Sequence, residues 1–119
     1  MKIAVSCQGD SPDSPVDPRF GRTSGFLVYD TDAQTYERVD NQQNLSLPQG
    51  AGLQTAQNVA QTGAQAVISG HVGPKAFKAL QKGGVQMFLA EGLSVQQAVD
   101  KYLAGELEAA SEADREGHW

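Results

Sequence analysis

A short apolar run that leads into a glycine-rich turn restricts the possible folds of this chain more than any other segment. Residues 66–68 read Ala-Val-Ile without alternation, which is typical of a parallel strand buried on both faces. Glycine stands at both ends of the turn that follows, residues 70–73. Pro74 then marks a helix start, because its missing N–H costs nothing at the first helical position. A buried strand followed directly by a helix predicts an α/β fold.

The part of the chain before this unit contains strands and one helix. The alternating residues 1–7 predict a first strand, and residues 26–29 and 36–40 predict a β-hairpin. From residue 53 the apolar period becomes helical, up to a stop at Gly63. We expect four residues of this helix to face the core: Leu53, Ala56, Val59 and Ala60.

The part after the turn repeats the pattern of helix and strand. The helix that begins at Pro74 ends at the glycine pair 83–84, and the alternating residues 85–89 predict a strand. Ser94 with Gln97 forms a capping box that opens a last helix. The order β-β-β-α-β-α-β-α predicts one mixed five-stranded sheet flanked by helices.

Length and charge predict one domain and a distinct tail. A chain of 119 residues suffices for a single domain with a modest core. The formal net charge of −5 lies mostly in residues 106–119, which hold five acidic residues against one base, Arg115. We expect residues 1–105 to form the domain and residues 106–119 an acidic C-terminal tail.

The same composition excludes several classes of partner. A nearly neutral body with an acidic tail argues against non-specific binding to nucleic acid. The chain opens on a strand rather than a secretory apolar segment, and no apolar stretch approaches the roughly 20 residues that span a bilayer. We therefore expect a cytoplasmic protein with no membrane partner.

A single cysteine limits the possible metal sites. Cys7 alone cannot form an intramolecular disulfide or a four-cysteine iron–sulfur or zinc site within one chain. It stands at the end of the first strand, where a thiolate could ligate copper(I) or molybdenum, or the residue could simply be buried. His71, inside the glycine turn, is the second candidate metal ligand, and an incidental histidine is the alternative.

The turn before Pro74 is a candidate anion site. Backbone N–H groups at the start of a helix and the positive end of the helix dipole together accept an anion. Glycines at both ends would let the backbone approach a bulky ligand. The alternative is an ordinary strand-to-helix connection. The candidate binding residues of this turn are Gly70, His71, Val72, Gly73, Pro74 and Lys75.

Two further loops are expected at the same edge of the sheet. One ends in Arg19, Phe20, Gly21 and Arg22, which combine charge, an aromatic face and close backbone approach, and arginine suits a large, soft anion. A loop anchored by the phenylalanine with two solvated arginines is the alternative. The other contains Gly50 and Gly52, before the first helix. Loops that follow parallel strands converge in space, and ligands of α/β sheets bind there.

The sequence contains no pattern that requires catalysis. The first strand carries no carboxylate, and no cluster of acids at the strand ends suits two-metal chemistry. No serine or cysteine has an evident local base. We expect a protein that is not an enzyme, with an anion- or nucleotide-binding enzyme that uses Cys7 or His71 as the weaker alternative.

Taken together, these segments resemble the dinitrogenase iron–molybdenum cofactor biosynthesis family over about residues 1–105. The resemblance implies a ribonuclease H-like α/β fold without nuclease activity, and binding or carriage of metal–sulfur clusters. By this resemblance, residues 19–22 correspond to the first loop of the family and residues 70–75 to its cluster-side turn. The segments that carry it are residues 1–5, 19–22, 26–30, 50–52, 70–76 and 98–107.

Within that family the chain is most similar to members from sulfate-reducing bacteria that hold a mixed molybdenum–copper sulfide cluster without a conventional set of cysteines. The resemblance thus implies non-catalytic binding of such a cluster, with an iron–molybdenum–sulfur cluster as the alternative cargo. It also leaves open a protein-interaction module that docks a partner such as a cell-division ATPase within a multi-protein complex.

Overall fold

Five strands form one mixed sheet in the computed structural model, which describes residues 1–41 and 51–110. The strand order is β3-β2-β1-β4-β5. β1 is antiparallel to β2, and β2 to β3, whereas β1 is parallel to β4, and β4 to β5. The predicted mixed sheet is therefore confirmed. The strands are β1 (Lys2–Ser6), β2 (Gly25–Asp30), β3 (Thr35–Asp40), β4 (Ala66–Ser69) and β5 (Gln86–Leu89).

Three helices cover this sheet, in the predicted order. They are α1 (Ala51–Gln61), α2 (Pro74–Lys82) and α3 (Val95–Leu103). The predicted capping box of α3 is present, since the side chain of Ser94 accepts from the backbone N–H of Gln97 and the Gln97 side chain accepts from that of Ser94. Gly63 and Gly105 follow α1 and α3 with positive φ angles of 82° and 74°, as expected for helix stops.

The two faces of the sheet have separate cores. Because successive side chains of a strand point to opposite faces, Ala4 of β1 packs with α1 and α2, while Ile3 and Val5 pack with α3. The α1/α2 side includes Phe20 and Val72 from the two loops. The α3 side includes Cys7. These loops are therefore held by core side chains.

The inward face of α1 differs from the sequence prediction. Ala56 and Val59 are buried as expected, but Leu53 is 42% exposed and Ala60 is exposed. Thr55 is fully buried instead, because its hydroxyl joins a hydrogen-bond network beneath the helix. The helix therefore turns the polar side chain of Thr55 toward the interior, which the spacing of its apolar residues does not predict.

The segment after α3 covers the free edge of β5. The N–H of Ala110 donates to the carbonyl of Met87 at 2.8 Å, and that of Leu89 donates to Glu108 at 3.5 Å. Leu107 packs against the α3-side core and Ala110 against the α1/α2-side core. We call residues 107–110 the edge segment. The division of the chain at residue 105 stays a prediction, and residues 111–119 of the expected tail lie outside the described residues.

The hairpin turn between β2 and β3 is stabilised by a carboxylate. One oxygen of Asp30 accepts from the backbone N–H groups of Ala33 and Asp32, at 3.2 and 2.9 Å. These hydrogen bonds, with that of Ala33 foremost, lower the pKa of Asp30 below its ordinary 3.8.

Among the described helices, none is long and apolar enough to cross a membrane.

Candidate functional site

The first loop, residues 7–24, closes the carboxyl end of the parallel strands. The backbone carbonyl of Asp17 accepts from the hydroxyls of Ser6 and Ser69, at 2.7 and 3.2 Å, and these hydroxyls lie 2.8 Å apart. Both serines are fully buried. The backbone of the loop thus fills the crevice between β1 and β4, and a ligand at this edge has to lie outside it.

The loop also contacts the turn before α2, as the sequence predicted. Arg19 forms a parallel bridge with His71, and the N–H of Phe20 donates to the His71 carbonyl at 3.3 Å. The two loops therefore meet at one edge of the sheet. Their exposed groups lie side by side because their backbones are paired.

The two glycines of the turn differ in what lies beside them. A Cβ on Gly70 would stand 2.6 Å from the Cα of Pro18, so this glycine accommodates the first loop rather than a ligand. A Cβ on Gly73 would meet no described atom within 4 Å. Only Gly73 therefore fits the expectation of backbone that is open to a ligand.

Gly73 is also the residue that precedes α2. Its backbone is extended, with φ −82° and ψ 168°, and no described side chain caps the helix there. The first turn of this nine-residue helix contains no acid, and Lys75 in that turn is exposed. Within the described residues, the first N–H groups and the positive end of the dipole consequently have no side-chain cap, an arrangement that attracts anions.

Three cationic side chains belong to these segments. Arg19 and Arg22 are exposed on the first loop, and Lys75 is exposed on α2. Gly21, between the arginines, is held against α1 by a 3.4 Å hydrogen bond from Thr55 to its carbonyl. The structure thus fixes the backbone between the two arginines, and both residues are exposed.

Phe20 and Val72 anchor the loops from below. They are 1% and 0% exposed, and the Phe20 ring packs against Phe26 with centroids 5.8 Å apart. The sequence predicts both residues as part of the binding surface. The structure gives them a packing role instead, since their side chains belong to the core beneath the loops.

The two candidate metal ligands have different environments. Cys7 is fully buried on the α3 side of the sheet, where its thiol contacts the carbonyl of Gly9 at 3.3 Å. The His71 side chain is 23% exposed and lies 2.6 Å from a Glu91 oxygen. Within residues 1–41 and 51–110, no three His, Cys, Asp or Glu side chains gather as a metal site. The described residues therefore contain no preformed cluster of metal-binding side chains, and Cys7 and His71 as metal ligands stay predictions.

The third loop is described only in part. Gly50 lies outside the described residues, so its predicted role stays a prediction. Gly52 lies in α1, where a Cβ would stand 3.3 Å from that of Ala76 in α2. The missing side chain at Gly52 consequently permits close packing of the two helices.

Sequence reasoning missed a residue that fixes the start of the first loop. The guanidinium of Arg38 donates to the carbonyls of Cys7, at 3.0 Å, and of Gly9, and to the hydroxyl of Ser24 at 3.2 Å. It lies across Gly25, whose Cβ would be 2.5 Å from a guanidinium nitrogen. A glycine directly before the predicted strand was the one signal of this close approach.

A comparison with known protein families identifies the family of this chain. Residues 1–105 match the family model described as dinitrogenase iron-molybdenum cofactor. The chain belongs to this family. The matched part includes the first loop, the turn before α2 and Glu91, and ends before the edge segment.

Solved structures of similar proteins share the whole fold. The apo form of the orange protein from Desulfovibrio gigas is 43% identical, with a TM-score of 0.94 and 96% of each chain covered. A putative NifB protein from Thermotoga is 33% identical, with a TM-score of 0.84 and 98% of each chain covered. An uncharacterised protein of Methanocaldococcus jannaschii is 26% identical over 111 residues, 91% of this chain and 90% of that protein. The family resemblance predicted from the sequence is therefore confirmed.

Proposed function

We propose that this member of the dinitrogenase iron-molybdenum cofactor family binds and carries an anionic metal–sulfur cluster, without catalysing a reaction. The observation that carries the proposal is the start of α2, which no described side chain caps and where a Cβ on Gly73 would meet no described atom within 4 Å. Membership of the family and the likeness to the orange protein support cluster binding as the function of this edge.

Local charge accounts for the attraction of an anion. The formal net charge of the chain is −5, so the molecule as a whole repels anions. Arg19, Arg22 and Lys75 oppose this at the α2 edge, together with the helix dipole. Arginine is weakly hydrated, which favours a large sulfide-bridged anion over a small hydrated one.

The cargo we propose is a mixed molybdenum–copper sulfide cluster. A site with few protein ligands suits a preassembled anion held by charge and backbone N–H groups, and imidazole is a suitable ligand for copper. An iron–molybdenum–sulfur cluster is the alternative cargo. Docking of a partner ATPase and a cytoplasmic location remain predictions from the sequence.

Anaerobic reconstitution with tetrathiomolybdate and copper(I) tests the function. We expect a coloured complex with constant molybdenum and copper per chain that survives gel filtration, measured by metal analysis and visible absorption. A protein that stays colourless and free of molybdenum contradicts the proposal for this cargo. Parallel reconstitution with an iron–molybdenum–sulfur precursor distinguishes the alternative.

Charge reversal tests the location of the site. The double change Arg19→Glu and Arg22→Glu should abolish cluster uptake, because it replaces two cations beside the α2 start with anions. Lys82 and Lys101 lie in the last turns of α2 and α3, so Lys82→Glu with Lys101→Glu is a control of equal charge change. Thermal unfolding of both variants should show a folded protein. Equal uptake by the two double variants would contradict this location.

A further inference from the structure

A buried carboxylate stands two residues before Arg19 in the first loop. Asp17 is 3% exposed. Its backbone N–H donates to the carbonyl of Ser6 at 2.8 Å, and its own carbonyl accepts from the hydroxyls of Ser6 and Ser69. The backbone of this residue is therefore fixed to the ends of β1 and β4.

The two carboxylate oxygens of Asp17 have different donors. Oδ1 accepts from the backbone N–H of Arg19 at 3.0 Å, and Oδ2 accepts from Nε2 of Gln8 at 3.2 Å. A carboxylate that accepts from an N–H two residues later forms an Asx turn, which determines how the chain continues. Pro18 restricts this turn further, because its ring fixes its φ at about −65°. The backbone direction at Arg19 is therefore set by residues 17 and 18.

This turn brings Arg19 to the proposed site. Arg19 is paired with His71 in a parallel bridge, and it is exposed although Asp17 is buried. Burial of a carboxylate costs free energy unless hydrogen bonds compensate it, and a negative charge close to an anion site is unfavourable as well. The hydrogen bond to the Arg19 backbone gives this carboxylate a role that offsets both costs.

We propose that Asp17 is a positioning residue for cluster binding, whose carboxylate holds the backbone of Arg19 so that this arginine is presented beside the start of α2. The inference rests on the proposed function and adds to it a residue that acts only through Arg19. It assigns the role to the hydrogen bond and not to the charge, because the charge repels an anionic cluster.

Two substitutions of Asp17 separate the hydrogen bond from the charge. Asp17→Ala and Asp17→Asn both remove the charge, but asparagine keeps a side-chain oxygen that accepts from the Arg19 N–H. We expect Asp17→Ala to weaken cluster uptake about 5–30-fold, as for the loss of one well-placed charged contact. Asp17→Asn should bind as tightly as the parent protein or more tightly. If charge alone mattered, both variants would bind more tightly.

Uptake is measured by titration of the full chain with tetrathiomolybdate and copper(I), at a temperature where every variant is folded. Val99→Ala is the control for lost stability, because it removes buried side-chain volume in α3, on the other face of the sheet from α1 and α2. It should leave uptake unchanged. Gln8→Ala removes only the donor to Oδ2, so it should weaken uptake less than Asp17→Ala does.

Two further readouts distinguish positioning of Arg19 from general support of the loop. In an Arg19→Ala background, Asp17→Ala should have no additional effect on uptake. In the cluster-free protein, ¹H–¹⁵N NMR should show faster exchange of the Arg19 amide in Asp17→Ala and the parent rate in Asp17→Asn.

Each contrary result has a definite meaning. Four results would overturn the positioning role and leave the proposed function standing: undiminished uptake by Asp17→Ala, equal losses with alanine and asparagine, an equal loss in Val99→Ala, or a further loss in the Arg19→Ala background. Unchanged exchange of the Arg19 amide in Asp17→Ala would also overturn it. Failure of the parent protein to take up tetrathiomolybdate with copper(I) contradicts the proposed function, and the positioning role with it.

Discussion

Gly70 and Gly73 belong to one turn, and their missing side chains serve different purposes. Pro18 of the first loop lies against Gly70, so the first glycine allows two backbone segments to meet. No described atom occupies the corresponding space at Gly73. At the residue scale, the pair therefore separates a glycine needed for folding from one that is available to a ligand.

Alanine at each of these two positions should affect different properties. Gly70→Ala should destabilise the fold by about 1–3 kcal/mol, because its Cβ would overlap Pro18 backbone. Gly73→Ala should change stability by less than about 0.5 kcal/mol, since a poorer N-cap is offset by a less flexible unfolded chain. It should nevertheless weaken cluster uptake. Urea unfolding and titration with tetrathiomolybdate and copper(I) measure the two effects.

The opposite pattern would contradict the proposed location. Full uptake by Gly73→Ala would mean that the cluster does not lie against the backbone before α2. A stability loss at Gly73 as large as at Gly70 would mean that its open space is filled in solution by another part of the molecule.

At the scale of the element, the two edge strands of the sheet are protected from pairing in different ways. β3 is an edge strand with the charged residues Glu37, Arg38 and Asp40, a pattern that disfavours pairing with another chain. β5 is more apolar and is covered by the edge segment, residues 107–110. The segment therefore protects the edge that lacks charges.

Proline substitution in the edge segment should show whether its hydrogen bonds matter. Ala110→Pro removes the N–H that donates to Met87, and should destabilise the protein by about 1 kcal/mol and speed amide exchange in β5. Ala109→Pro is the matched control, because the two bonds to β5 use the Ala110 N–H and the Glu108 carbonyl. Equal exchange rates in the two variants would indicate that the edge segment contributes little to protecting β5.

At the scale of the whole molecule, a buried polar network connects three parts of the chain. Asn41, at the end of the hairpin, donates to the Thr23 carbonyl and the Thr55 hydroxyl, each at 3.0 Å. Its side-chain oxygen accepts from Asn58 at 2.8 Å. This network thus holds the hairpin, the first loop and α1 together. Asn41, at its centre, is fully buried.

Removal of Asn41 should therefore loosen the site as well as the fold. Asn41→Ala leaves buried partners unsatisfied and should lower the free energy of unfolding by about 1–3 kcal/mol or more. Because Thr23 lies next to Arg22, cluster uptake should also weaken. Asn58→Ala removes two hydrogen bonds, one to Asn41 and one from Gln54, but its side chain is partly exposed, so its effect should be smaller. Denaturant unfolding tests the ranking, and equal losses in the two variants would contradict a network centred on Asn41.

The sequence alone predicted every strand and helix that the structure describes, and their order. Nearest neighbours along the chain determine these features: the Ser94 capping box, Pro74 at the start of α2 and the glycine stops all act within one helical turn. Pattern also predicted that the first loop and the turn before α2 converge, because strand ends of a parallel sheet share an edge.

The tertiary structure alone decided which side chains meet. Three of these contacts depend on segments distant in sequence. They are the contact of His71 with Glu91, the hydrogen bonds from Arg38 to the first loop, and the burial of Thr55 while Leu53 is exposed. Local propensity carries no information about such distances, since a buried hydroxyl or a paired carboxylate is favourable only when its partner is present. The sequence therefore determined the elements and the edge at which a ligand can bind, whereas packing decided which residues of that edge face the ligand and which hold the fold.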